Sequence, residues 1–556
     1  MRAKVRKNGL AVHAIAGTHT VLLGLDATRK VARGLLGFAI YRQDDTEGEG
    51  YWLKSSLAFA ENATGTHLYS QYENPIQTFR WGDYTAKPDH RYCYQVVPVY
   101  GKPKWLKYGS GVSVHIATES VNDETHRIFF NRSVAGSQAF VREFGPPDKK
   151  KLNDPESAEH KWLSRGLEEA MLAFINEARD ETWAIHGCLY EFAYQPILRA
   201  LGAASKRGVE VKITYDARGA AEENEPEIKK ARVGKLAIPR KGVGIAISHN
   251  KVLILLKDEK PFAVWTGSTN VTLGGLIGQS NVGHAVYDAE VAQIYYDYFQ
   301  QLSTNPPRRT LAPWNDKHTP LNDENKAREI EVVFSPRTDI EALDYYATLM
   351  SRAKSGVFLT AAFGVSTQLT AVLQEKKRYL RYLLMDNPGQ RFNRDNTQEI
   401  AKNHFDRIAL GDVIHAGALA DWHRETLTGL NAHVRYLHTK YMLIDPLGAH
   451  PIVISGSANF SEASTMKNDE NMLIIRDNRK VADIYLTEYM RLFDHFSFRD
   501  KLDSHLDQYD GWQAKNSDLN IGKDKELHLE ADATWSDRYY LKDSVEQKER
   551  LYFAGK

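Results

Sequence analysis

The sequence predicts an α/β protein made of two similar halves, each a sheet with helices, behind an all-β front domain. Three observations carry this reading. Residues 1 to about 120 hold short strand-like runs separated by Gly, Asp and Pro. Beyond them, strands alternate with helix-length segments, which argues for an α/β sheet, largely parallel, in each half. The order of those segments then repeats, together with one motif. His249-Asn250-Lys251 leads to Gly267-Ser268-Thr269-Asn270, and His438-Thr439-Lys440 leads to Gly456-Ser457-Ala458-Asn459. From His to Gly is eighteen residues in both copies. Five such fixed positions arise by chance in only about one chain in several thousand of this size. Two copies at one spacing therefore mark a duplicated site.

The front domain, residues 1–120, is read from the runs Val21–Leu25, Leu36–Tyr41 and Tyr92–Val97. Lys87-Pro88-Asp89-His90-Arg91-Tyr92 resembles the turn and tyrosine corner of fibronectin type III domains. The first half, 121–302, opens with the strand Arg127–Phe130 and continues into a helix from about Pro155 to Arg179. Asp154 is placed as its N-cap and Pro155 at the first helical position. A strand (Trp183–His186), a helix (Pro196–Lys206) and a strand (Val211–Asp216) follow. The second half, 326–500, gives the same order: strand Glu331–Phe334, helix Asp339–Ala353, strand Val357–Thr360, helix Thr367–Lys377 and a strand ending at Asp386.

From Asp216 to His249 is 33 residues and from Asp386 to His438 is 52, so the second half carries about nineteen more there. A short helix is expected in that insertion near Ile400 to Ile408. The insertion is either a substrate-facing loop or an inert surface feature. Residues 303–325, rich in Pro, Thr and Asn, read as a linker. Residues 501–556 are charged but hold Trp512, Trp535, Tyr539, Tyr540 and Phe553, which suggests an arm packed on the body.

Composition bounds the function. A chain of 556 residues is expected to fold as about three domains. The formal net charge is +1, so any charge that attracts phosphate must be local. Cys93 and Cys188 fall in different domains, which gives no disulfide framework and fits a reducing compartment. The basic stretch Met1–Lys7 is followed by no sustained apolar run, so no signal peptide is expected. No run of eighteen apolar residues is present and no transmembrane helix is expected. The expected location is the cytoplasm.

The motifs carry the chemistry. His and Lys alternate across one residue, so both face the same side of a strand, and the apolar runs after them read as buried strands. His249, Lys251, His438 and Lys440 are the candidate catalytic residues. Ser268, Asn270, Ser457 and Asn459 are the candidate phosphate-binding residues. Lys, Ser and Asn donate hydrogen bonds without negative charge, an inventory that suits an anion such as a phosphodiester. No cluster has convincing metal-ligand spacing, and the chemistry requires neither a metal nor a cofactor. One neutral histidine would attack phosphorus, and the other, protonated, would serve the leaving oxygen.

With these residues in view, the chain resembles the phospholipase D superfamily, whose signature is His-x-Lys-x4-Asp followed by Gly-Ser-x-Asn, commonly present twice. The resemblance spans about residues 125 to 500. It implies two pseudo-symmetric α/β/α halves and a metal-independent phosphodiesterase or phosphatidyl-transferase with a covalent phosphohistidine. The second copy is complete, with Asp445 as its acid, taken as structural. In the first copy Leu256 stands at that place and Asp258 is the nearest acid. Glu470, Asn281 and Asn471 are supporting candidates. Glu470 aligns with Ser280 to within one residue. It is expected near His438, where it would favour the charged form. That makes His438 the acid and His249 the nucleophile.

Three functions follow from these readings. The first is a nuclease, for which the stretch Lys229, Lys230, Arg232, Lys235, Arg240 and Lys241, with Lys376, Lys377, Arg378 and Arg381, would track a backbone. The second is a phospholipase D or phosphatidyl-transferase acting on phospholipid. The third is a non-catalytic phosphate-binding scaffold, with the front domain recruiting a protein partner.

Overall fold

The computed structural model describes residues 1–63, 68–133, 138–321, 328–362, 364–385, 404–410, 437–513 and 528–556. The front of the chain forms two antiparallel sheets. One runs in the order Arg2–Lys7, Leu10–Ala16, Val21–Ala27, Arg80–Asp83. The other runs Trp105–Tyr108, Arg91–Lys102, Leu35–Asp44, Glu49–Trp52, with Val112–Ala117 also paired to Arg91–Lys102. Alternating apolar residues of both sheets meet in one core that includes Val12, Leu23, Phe38, Ile40, Tyr94 and Val114. At the start of the Arg91–Lys102 strand, the Lys87 backbone N–H donates to the Tyr92 hydroxyl at 2.9 Å, which closes the corner.

Each half of the remaining chain builds a seven-stranded sheet of the same topology. The first sheet runs in the order His126–Phe130, Val282–Val286, Lys260–Gly267, Lys251–Lys257, Trp183–Leu189, Glu210–Asp216, Ala237–Arg240. The second runs Ile330–Ser335, Glu470–Arg476, Ile452–Gly456, Tyr441–Ile444, Gly356–Ala361, Leu380–Met385, Asp406–Leu410. The helices Ala289–Ser303 and Arg479–Gln513 belong to a core that mixes residues of both sheets, including Val252, Ile254, Tyr295, Tyr441, Leu443 and Tyr485. Separate outer cores lie under the other helices of each half. Each half is therefore a sheet between helical layers, and the inner layers are shared.

Several sequence expectations are corrected. The sheets are not largely parallel: only the last two pairs of each sheet are, and the other four are antiparallel. Short hairpin connections are the reason, residues 258–259 in the first half and 445–451 in the second. Asp258 and Glu259 both take positive φ, which folds Lys251–Lys257 directly back onto Lys260–Gly267, whereas a parallel pair needs a long crossover. The helix expected over 155–179 is two helices, Ala158–Ser164 and Leu167–Asn176. Its N-cap is Ser157, whose hydroxyl accepts from His160 N–H at 3.1 Å. Arg165 and Gly166 are left-handed, and a right-handed helix cannot pass through them. The 303–325 linker contains the helix Arg308–His318, which buries Leu311, Ala312 and Asn315. Residues 406–408, expected to end a helix, belong to the strand Asp406–Leu410, which runs parallel to Leu380–Met385. Arg381 and Asp406 pair there in full burial. The rest of the insertion, 386–403 and 411–436, lies outside the described residues. The helix Arg479–Gln513 also runs across the boundary placed at 500.

The C-terminal segment returns to the front domain. Trp535 is buried against Phe38 and Phe79, and its Nε1–H donates to the Leu35 carbonyl at 2.9 Å. Tyr540 donates to the Ala27 carbonyl at 2.7 Å. The final helix, Val545–Phe553, passes so close to Gly24 that a Cβ there would stand 2.0 Å from the Phe553 carbonyl oxygen. Among the described residues, no helix is long and apolar enough to cross a membrane.

Trp535→Ala is expected to destabilise the protein by about 3–5 kcal/mol, the cost of emptying a large buried aromatic site. Chemical denaturation followed by far-UV circular dichroism measures it. An unchanged midpoint would mean that the arm does not support the sandwich.

Candidate active site

The motif residues gather where the two sheets meet. In each half the His-x-Lys segment opens a central strand and the Gly-Ser-x-Asn turn closes its neighbour, so hairpin pairing alone brings the two together. His249 lies just before its strand, which begins at Lys251. Lys251 Nζ donates to the His249 carbonyl at 2.6 Å, and Lys440 Nζ donates to the His438 carbonyl at 2.5 Å. Each ammonium is thus held against the backbone of its own motif. The two imidazoles face each other across the seam, with ring centroids 6.4 Å apart and planes inclined at 75°.

Backbone pairing across the seam holds them there. His249 N–H donates to the Asp469 carbonyl at 2.9 Å, and Asp469 N–H to the Ile247 carbonyl at 2.9 Å. On the other side His438 N–H donates to the Ser280 carbonyl at 3.2 Å. Each histidine is therefore fixed by the segment that leads into the Glu470 or Asn281 position of the other half.

Those two positions correct the expected partner of Glu470. Its carboxylate lies 2.9 and 3.0 Å from Nδ1 of His249, not beside His438. The Nδ1 of His438 instead meets Asn281 Oδ1 at 2.9 Å. Glu470 also corresponds to Asn281 in the repeat, not to Ser280. Ser457 Oγ donates to Glu470 at 2.7 Å, and Ser268 Oγ donates to Asn281 at 2.8 Å. The cross-lobe swap is the physical reason, since a carboxylate in one half serves the imidazole of the other.

The remaining candidates divide into two groups. Ser268 and Ser457 orient the Asn281 and Glu470 side chains and also accept the backbone N–H groups of Val282 and Asn471. Asn270 and Asn459 are the polar ends left over: the Oδ1 of each is buried with no hydrogen-bond partner among the described residues. Asn471 is structural. It donates to Asn250 at 2.8 Å and accepts from Tyr295 at 2.9 Å, which ties the halves together. Asp445 lies away from the imidazoles and accepts the backbone N–H groups of Lys354, Ser355 and Gly356 and the Ser355 hydroxyl. In the first half Leu256 fills the matching place as core.

Burial sets the electrostatics. It pushes the pKa of both histidines well below 6.5, and Lys251 and Lys440 push in the same direction. Burial also drives Lys251 down to about 7 and Glu470 up to about 7, against the attraction of Lys251. An anion entering this site favours the charged forms of both imidazoles and of Lys251 and disfavours that of Glu470.

Residues that sequence reasoning missed support this arrangement. Asp469 is fully buried and binds Arg240 at 2.9 Å and Ser248 Oγ at 2.8 Å. Asp216, at the end of its strand, accepts Ser248 N–H at 2.8 Å. Asn131 Oδ1 accepts Asn281 N–H at 2.9 Å. Tyr190 packs its ring 5.0 Å from that of His249 and 5.2 Å from Lys251 Nζ. The chain position before Glu470 was the available signal for Asp469, and nothing local marked the others. Two arginines expected to track a backbone, Arg240 and Arg381, are buried in ion pairs with Asp469 and Asp406, so they cannot do so. Among the described residues, the group that brings potential metal ligands together is Asp44, Glu47 and His90 on the front domain, where Lys87 already holds Glu47.

The family model described as "Cardiolipin synthase, PLD-like domain" matches residues 171–303 and 348–493, half of the chain. The chain belongs to the phospholipase D superfamily. It is a phosphodiester-acting enzyme of that family. A protein named phospholipase D from Rickettsia felis is 25% identical over 197 residues, which cover 35% of this chain and 83% of that one. Phosphatidylserine synthase from Haemophilus influenzae is similar at 12% identity, over 64% of this chain and 93% of that one, with a TM-score of 0.39. Polyphosphate kinase from Porphyromonas gingivalis is similar at 13% identity and a TM-score of 0.36. That match spans 55% of this chain and 45% of the kinase, less than half of its length.

Asp445→Ala is expected to destabilise the second half by about 1–3 kcal/mol, because it strands three backbone donors. Asp445→Asn, which keeps an acceptor oxygen, is expected to lose less. Thermal melting of the two variants checks the order, and equal losses would contradict it.

Proposed function

We propose that this enzyme hydrolyses phosphodiesters through a covalent phosphohistidine on His249, with nucleic-acid backbone as the substrate. The observation that carries the chemistry is the pairing of the two imidazoles across the seam with an ammonium beside each. A tetrahedral phosphorus bonded to one ring, with an oxygen hydrogen-bonded to the other, suits that separation. Lys251, Lys440, Asn270 and Asn459 would hold the non-bridging oxygens as charge shifts.

The unequal partners support the assignment of roles. When His249 Nε2 attacks phosphorus, the bond to the leaving oxygen breaks and the imidazole becomes a cationic phosphoimidazolium. Glu470 at Nδ1 is placed to stabilise that new charge. His438 runs the other way: it gives the Nε2 proton to the leaving oxygen and becomes neutral. A carboxylate there would hold the proton back, whereas the neutral Asn281 oxygen does not. Neutral His438 then takes a proton from water as the water oxygen attacks phosphorus, the N–P bond breaks, and His249 is restored. His249 thus remains the proposed nucleophile, for a reason opposite to the one read from sequence.

The substrate reading rests on the setting of His249. Tyr190, half-buried beside it, offers a ring on which a base next to the scissile phosphate could stack. The exposed aromatics Tyr72, Trp105 and Tyr108 lie on the front domain instead.

The test is hydrolysis of single- and double-stranded DNA with EDTA present, beside phosphatidylcholine and phosphatidylglycerol vesicles. DNA cleavage is expected, lost in both His249→Ala and His438→Ala, with the trapped phosphate on a peptide containing His249. Lipid turnover with intact DNA would replace the substrate reading, and phosphate on His438 would reverse the roles.

The pH dependence follows from burial. Both histidines are held below 6.5 in the free enzyme. A bound anionic phosphate favours imidazolium and raises the pKa of His438. The alkaline limb of kcat, which reports the complex, is therefore expected at higher pH than that of kcat/KM, which reports the free enzyme. Coincident limbs in full pH–rate profiles would contradict this.

A further inference from the structure

A second cationic site lies away from the histidine pair. A cavity of about 560 Å³ opens between the front domain, the first half and the Arg479–Gln513 helix. Its lining carries six cationic side chains: Lys54, Arg80, Arg132, Arg142, Arg165 and Arg491. None of the motif histidines or lysines lines it. In a chain of net charge +1 this is a strong local excess.

Two acids nearby, Asp494 and Glu488, are already committed, and exposed Glu143 acts on Arg132 without a direct ion pair among the described residues. Asp494 takes both Nη groups of Arg80 at 2.7 Å and the Tyr84 hydroxyl. Buried Glu488 is shared by Arg165 and Arg491. Arg491 also donates to the Arg132 and Asn131 carbonyls. Arg132 is left with no anion: its guanidinium lies 4.3 Å over the Trp162 ring and makes no hydrogen bond or ion pair among the described residues. The buried Ser133 hydroxyl beside it also has no partner among them. Burial, Arg165 and Arg491 press against the charge of Arg132, and Glu488 and Glu143 offset them only in part. An arginine does not escape that pressure by losing its proton, so an anion is what relieves it.

We propose that this cavity binds a small ligand bearing two or more phosphoryl groups, gripped by Arg132 and Arg142 with Ser133 as a further donor. Planar guanidiniums match phosphate oxygens in pairs, and the volume lies within the range of small-ligand pockets. The site is independent of the hydrolytic one and of the substrate proposed for it.

The test is titration of the full chain with pyrophosphate, ATP and a single-stranded oligodeoxynucleotide, read by calorimetry and by Trp emission, since Trp162 lies under Arg132. Saturable binding of pyrophosphate or ATP is expected, weakened by salt. The double variant Arg132→Ser/Arg142→Ser is expected to lose at least about tenfold in affinity, because each lost charge-assisted hydrogen bond is worth a decade or more. Phosphodiester turnover should persist. Lys54→Ser/Arg142→Ser, which changes only exposed residues, repeats the measurement should the first variant melt early. His438→Ala should bind as the wild type does. Binding of the oligonucleotide alone, binding indifferent to both double variants, or binding lost in His438→Ala would each overturn the proposal.

Discussion

The active arrangement depends on backbone hydrogen bonds that cross between the halves. His249 N–H reaches the Asp469 carbonyl, and His438 N–H reaches the Ser280 carbonyl. Neither half can set its own histidine, because the anchoring strand end belongs to its neighbour. Behind these bonds stands a fully buried ion pair, Arg240 with Asp469, whose carboxylate also receives Ser248. A buried pair of this kind contributes little net stability, but losing one partner would strand a charge in the core. It joins the two halves beside the segment whose backbone anchors His249.

In the mechanism proposed above, two identical histidines over one phosphorus would compete for one role, so near-symmetry has to be broken. The fold keeps the frame symmetric, with the same strand order, the same Lys-to-carbonyl bond and the same Ser supporting the side chain thirteen residues on. It varies a single partner, a carboxylate against one imidazole and an amide against the other. A carboxylate and a shorter, neutral amide reach their imidazoles at the same distance, 2.9 Å, and so distinguish the two sides by charge.

The front domain and the C-terminal segment are tied into the same body. Arg2 pairs with buried Asp483 at the start of the long helix, and Arg80 pairs with Asp494 further along it. The chain end closes on the sandwich through Trp535, Tyr540 and Phe553. The walls of the arginine-lined cavity therefore come from three distant parts of the sequence, held at fixed spacing by those pairs.

The sequence by itself determined the duplicated motif, the two-half α/β plan and the strand cores, because these follow from local spacing and from apolar runs that must be buried. The convergence of His249, Lys251, His438 and Lys440 was legible for that reason. Strand direction showed only in the structure, where a turn with positive φ at Asp258 and Glu259 sets it for the first-half hairpin and residues 445–451 join the second. The tertiary structure also decided the break at Arg165-Gly166 and the fate of Arg240 and Arg381, which are basic in sequence but spent in buried pairs. Above all it decided which imidazole Glu470 touches. Repeat alignment relates residues within a half, whereas the swap of strand ends across the seam is a long-range contact that no local spacing encodes.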